Sequence, residues 1–299
     1  MKHHYFNILL RLLALTVLII FLQPASAQCP VGSSVNTAGN YTNGETVCIT
    51  TNFNGNISLH NGATMIVAGG KYTGDIDATN GSEIQVNAGG TFNPANANNF
   101  AATLTVKKNG IAILGTGNLS FSNGFDLISQ GSVTWLKAWD QNFQQSVTNG
   151  SCGTMTFTQA TTLQNNSSII NNGTMVIKGA LTTNSGTTIN NRGSFTVNGS
   201  AILSGYLKNQ WKTVFKGAGG NIFNTGDSVI NLYTMVFSNA VTGTVKMRND
   251  GLLWVRGSMT INGGTGLNMK VANAQFRVDG SLANNGVVTG AGSSMYVGG

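Results

Sequence analysis

Asp75 and Asp77 are the closest pair of carboxylates in a 299-residue chain with only 9 acidic residues. Two positions apart on one strand face, their Cβ atoms would stand roughly 7 Å from each other. That spacing suits a weak cation site or a general acid/base pair for sugar hydrolysis. A solvated pair flanking a turn is the plainer expectation. A lyase would also need a Ca²⁺ cage and a basic proton abstractor, and no run of Asp supplies the cage. His3, His4 and His60 are the only histidines, and two of them lie in the leader, so a His-built triad or metal site is nearly excluded. Cys29, Cys48 and Cys152 lack the CxxC and HxxxH spacings of metal sites. No catalytic residue, metal or cofactor is expected.

Binding chemistry has better candidates. Lys208, Lys212 and Lys216 share one strand parity, while Trp211 and Phe215 share the other. On one strand the lysines would face solvent and the aromatics the core, giving a basic strip for an acidic polysaccharide or an anionic cell surface. Trp135, Trp139 and Phe143 recur every four residues within a glycine-free stretch. They would align on a short helix or an excursion from the main fold, either as core or lid packing or as a ligand platform. Asp227-Ser228-Val229 fits a short O-glycosylation pattern, which makes Ser228 a modification candidate. Thr154, Thr156 and Thr158 form a single Thr-x-Thr run that does not recur at a coil period, as an ice-binding array would require.

The elements that position these residues follow from composition. Charged residues make up only 8%, against 40 Gly, 38 Asn and 34 Thr. Such a chain is poor in helix formers and rich in turn formers and β-branched residues. Residues 1–27 read as a secretory signal peptide: Lys2 and Arg11 precede or enter an apolar run ending near Leu22, and Ala25-Ser26-Ala27 fits the cleavage rule. Localisation is therefore secreted or outer cell surface. In that oxidising compartment Cys29 and Cys48, near in sequence, are expected to pair and clip the N-terminal end. Beyond the leader the chain carries 14 basic and 9 acidic residues, a mild +5 that argues against nucleic acid as partner. No later segment is long and apolar enough for a membrane helix.

An internal repeat sets the architecture. Asn172-Gly173-Thr174-Met175-Val176-Ile177-Lys178-Gly179 aligns with Arg192-Gly193-Ser194-Phe195-Thr196-Val197-Asn198-Gly199 at an offset of 20. Each unit is a turn, a short alternating strand and a closing Gly. Twenty residues leave no room for a crossover helix, so the units must stack as coils of an all-β parallel β-helix solenoid. About a dozen coils at ~4.8 Å each make a rod on the order of 60 Å long. Stacking places equivalent Asn residues above one another, where their amides satisfy each other, and Asn tolerates the left-handed backbone of tight turns. The expected organisation is an N-terminal cap region over 28–55 and repeats over 56–299, interrupted near 134–150.

Cys29-Pro30 through Asn40-Tyr41-Thr42-Asn43-Gly44-Glu45-Thr46-Val47-Cys48-Ile49-Thr50, followed by Asn-Gly-punctuated coils, resembles the start of secreted β-helix proteins of the Bacteroidota. The coil length is similar to that of filamentous-haemagglutinin-type adhesins. The resemblance implies a right-handed parallel β-helix and a surface-associated or secreted structural or adhesive role, with glycans or host and cell-surface components as partners. Many such proteins resemble type IX secretion cargo. The sorting domain of that cargo has no counterpart before Val297-Gly298-Gly299, which leaves a fragment or a different export route open. The functional expectation is thus a non-catalytic exported adhesin or scaffold. The alternative is a carbohydrate-active β-helix that binds or cleaves polysaccharide.

Overall fold

The computed structural model describes residues 29–299 except 80, 123, 142–144, 219, 225–227, 244–245, 264–265 and 291. The expected signal peptide, Phe143 and Asp227 lie outside the described residues. The chain forms a parallel β-solenoid, and no helix occurs among the described residues. One coil shows the design. Ser168–Asn171 lies on a first face, Thr174–Ile177 on a second and Leu181–Thr183 on a third, before Thr188–Asn191 returns to the first. Each strand pairs in parallel with its equivalent one coil away, as Thr174↔Ser194 and Met175↔Phe195 do. Face 1 is a 14-stranded sheet and face 2 a 12-stranded sheet.

Alternation builds the core. Within that coil Ile169, Met175, Ile177 and Leu181 point inward and are fully buried, because a strand sends successive side chains to opposite faces. In six successive coils the inward residue at the corner from face 1 to face 2 is Asn. Asn149, Asn171, Asn191, Asn209, Asn231 and Asn249 are all buried. Each of the first five donates its Nδ2 to the Oδ1 of the next, at 2.7–2.9 Å. The same amide nitrogens reach backbone carbonyls of the following face-2 strand, as Asn171 does to Ser194 at 3.0 Å. The mutual satisfaction expected of stacked Asn side chains is therefore an internal spine. The left-handed turns also follow expectation: among the described residues every non-glycine with positive φ is an Asn, Asn43, Asn61 and Asn109 included.

Corner glycines answer a different need. A Cβ on Gly193 would overlap the Gly173 carbonyl oxygen of the preceding coil, so the backbones stack there without room for a side chain. Cys29 and Cys48 are disulfide-bonded with Cα atoms 5.9 Å apart, as their proximity suggested, and Cys152 is free and exposed. Ser34–Val35 already pairs with Thr46–Ile49 on face 1, so the coil begins inside the stretch expected to be a cap.

Face 3 is not continuous. Its first five strands, ending at Leu119–Phe121, form one sheet; eight more, beginning at Trp139–Gln141, form another. Across this junction faces 1 and 2 continue unbroken, through Thr103↔Asp126 and Ile111↔Ser132. Large rings fill the space: Trp135 lies 4.9 Å from Phe121 and 4.8 Å from Trp139, and Trp139 stacks on Phe157 at 5.1 Å. The expected helix or excursion near Trp135 is corrected here. Trp135 ends the face-2 strand Ser132–Trp135 and Trp139 opens the next face-3 strand. Their spacing of four spans a corner, with both rings turned inward.

Candidate polyanion-binding faces

The aromatic pair proposed as a platform is core. Trp135 is 1% exposed and Trp139 is 2% exposed, so neither ring offers a face to a ligand. Trp139 does form part of the floor of a notch of about 200 Å³ at the face-3 junction, beside Lys137 and Asp140. Asp140 is engaged there, accepting a 2.6 Å bond from Gln164 Nε2.

Asp75 and Asp77 sit in different settings, the first in a turn and the second on a face-3 strand. Asp75 lies in a turn ladder: its N–H donates to Asn56 Oδ1 at 3.2 Å, and its Oδ1 accepts from Asn96 Nδ2 at 2.8 Å. Asp77 stands on the neighbouring strand, in register with Ser58 and Asn98. The first carboxylate therefore replaces an Asn in a stack of turn side chains. Among the described residues no group of three or more His, Cys, Asp or Glu gathers as a metal site would require.

The lysine strip is divided between two faces. Lys208 belongs to the face-1 strand Tyr206–Asn209, whereas Lys212 opens the face-2 strand Lys212–Phe215 and Lys216 follows it. The chain turns the corner between them, which resets strand parity. Phe215 is buried as expected, but Trp211 sits on the corner at 49% exposure and stacks on Tyr233, at 4.6 Å between centroids. Placing Trp211 in the core is thus corrected. Lys212 and Lys216 are exposed and Lys208 is half-buried.

Charge is segregated along the rod. Residues 29–140 hold four basic and six acidic residues, a net −2. Residues 141–299 hold ten basic and three acidic residues, a net +7. The sign changes at the face-3 junction. In the basic half Asp250 is bound to Arg248 and Asp279 to Arg277. The other eight basic residues have no ion-pair partner among the described residues.

Two grooves open in this half. On face 2, Trp254, Arg277 and Tyr296 follow one another in coil register. Arg256 and Arg277 lie 4.3 Å and 4.9 Å over the Trp254 ring, and Arg277 lies 5.3 Å over Tyr296. Such stacking holds guanidinium groups outward on an exposed sheet. Trp254 Nε1 also donates to Asp279 Oδ2 at 2.9 Å. The hydrogen bond from Arg277, helped by that indole, holds the Asp279 carboxyl below the usual carboxylate range. A depressed folded value means that this support is complete above ~pH 4 and fades as pH falls further. Acidification toward about pH 2 should therefore change Trp254 emission, measured as the difference between the native chain and Trp254→Phe. In Asp279→Asn the acid step should vanish; a step that survives there would contradict the assignment.

On face 1, a groove of about 380 Å³ is lined by Ser228, Lys246, Arg248, Gly266, Asn268 and Lys270, among others. Lys208 stands in the same ladder column as Arg248, two coils away. Ser228 faces the groove at the start of its strand, in register with Lys246. None of the groove's cations was singled out from sequence. A count of charge sign along the chain is the signal that points to this half.

The chain matches no protein family, no curated protein and no solved structure.

Proposed function

We propose that the chain is an exported, non-catalytic adhesive or structural rod of the Bacteroidota adhesin type, whose basic half holds a polyanionic surface. The carrying observation is the step from net −2 to net +7 along the rod, with most of the excess cations unpaired. A rigid solenoid presents those cations at fixed coil spacing, so the field of several coils adds. The leader-like N-terminus and the Cys29–Cys48 bridge support export. No nucleic acid or membrane span is part of this reading, and no helix of the described chain is long and apolar enough to cross a membrane.

The test is retention of the exported chain on immobilised polygalacturonate and on neutral dextran. Retention on the acidic matrix alone, falling as salt rises past ~0.15 M, is expected for exposed charges screened over about 8 Å. Equal retention on both matrices would overturn the polyanion reading. Release of reducing sugar or unsaturated product, abolished by Asp75→Asn or Asp77→Asn, would make the protein an enzyme instead.

A further inference from the structure

We infer that the face-1 groove is the specific subsite of this surface, taking a carboxylated or sulfated sugar residue of an acidic glycan. This rests on the polyanion reading above and locates it. The groove runs across two outward columns of face 1. Ser228, Lys246, Gly266 and Val287 form one outward column, and Ile230, Arg248, Asn268 and Thr289 form the next. Gly266 stands in the first column between Lys246 and Val287, where the backbones approach so closely that a Cβ would lie 2.6 Å from the Val287 carbonyl oxygen.

The lining has three kinds of group. Val287 and Ile230 give an apolar patch of the kind that receives a sugar ring. Ser228, Asn268 and Thr289 offer neutral hydroxyl and amide groups for ring hydroxyls. Lys246 and Lys270 are exposed, and neither has an ion-pair partner among the described residues. Arg248 is held by Asp250, its Nε donating at 2.7 Å, so it forms a fixed wall and leaves the two lysines to receive the anion. A single-stranded nucleic acid is a poorer fit, because no aromatic ring lines this groove for bases to stack on. A duplex is poorer still, because two free lysines fall short of the dense basic stripe that phosphate contacts need.

The test compares two charge-matched double variants of the full exported chain. Lys246→Gln with Lys270→Gln empties the groove of free cations. Lys212→Gln with Lys216→Gln removes the same charge from face 2. All four side chains are exposed, so both variants should keep the native melting curve, which is recorded as the folding control. Affinity is measured by calorimetry for oligogalacturonate, dextran sulfate, neutral dextran and duplex DNA. The groove variant should lose about tenfold in affinity for at least one acidic glycan, and the face-2 variant less than about twofold. Preference between the two glycans then identifies carboxylate or sulfate as the anion. Equal losses in both variants would overturn the groove while leaving the polyanion reading intact. Absence of binding to either acidic glycan by the native chain would overturn both. DNA bound as tightly as the glycans, and weakened by the groove variant, would replace the ligand class.

Discussion

Asn191→Asp should destabilise the rod by ~3–5 kcal/mol at neutral pH, far more than its near-identical shape suggests. Asn191 Nδ2 donates to Asn209 Oδ1 at 2.9 Å, to the Lys212 carbonyl at 2.9 Å and to Thr213 Oγ1 at 3.0 Å. Its Oδ1 accepts from Asn171 Nδ2 at 2.8 Å. A carboxylate in that place would set an anionic oxygen against two acceptor oxygens, in a site with no exposure to water. Burial and acceptor neighbours raise a carboxyl's folded-state pKa. The protonated acid can donate one bond, so the penalty is small below the unfolded value of ~3.9 and grows as pH rises above it. Asn191→Leu removes the same donors without a charge. It should cost about 2 kcal/mol with no such pH dependence. Urea unfolding at about pH 4 and pH 7 separates them. If the Asp variant is equally unstable at both, the spine is not held by the donor and acceptor order described here.

Gly193→Ala is expected to cost about 2–4 kcal/mol, a large effect for one methyl group. The added Cβ would press on the carbonyl oxygen of Gly173 and on the carbonyl carbon of Asn172. The chain cannot yield by sliding, because Ser194 N–H bonds to that same Gly173 carbonyl at 2.8 Å and the ladders on either side fix the coil spacing. The neighbouring Ser194→Ala change sits on the outward side of its strand and should stay within about 0.5 kcal/mol. A thermal-melt comparison of the two variants checks the prediction. Similar melting points would mean that the corner has slack the structure does not show.

The coil was legible in the sequence because Gly173 and Gly193 repeat a constraint that any side chain would violate. The amide stacking was legible as a principle, but its place was not. The visible repeat runs through Asn172-Gly173, whereas the spine uses Asn171, and its later members Asn209 and Asn231 precede Trp211 and Tyr233 through shared corner geometry rather than a shared Gly. Parity reasoning failed at Trp211 because it was counted across a bend. Spacing by four failed at Trp135 and Trp139 because a strand end, a corner and a strand start occupy the same interval as one helical turn. The groove was out of reach for another reason. Lys246 and Lys270 lie more than a coil apart in sequence, and only the stacking of coils brings them to one groove.

The split in face 3 bears on how the rod carries load. Neighbouring coils are joined along the axis by ladders, so a pull on the two ends is borne by hydrogen bonds in parallel. At most junctions three ladders share that tension. Between Leu119–Phe121 and Trp139–Gln141 only the two on faces 1 and 2 do so. The aromatic rings packed there resist wetting of the core but contribute little against axial separation, since apolar contact is not directional. Under tension this junction, where the charge changes sign, therefore has one ladder fewer than the junctions on either side of it. A pull on an anchored basic half is thus passed to the acidic half through fewer hydrogen bonds than either half uses between its own neighbouring coils there.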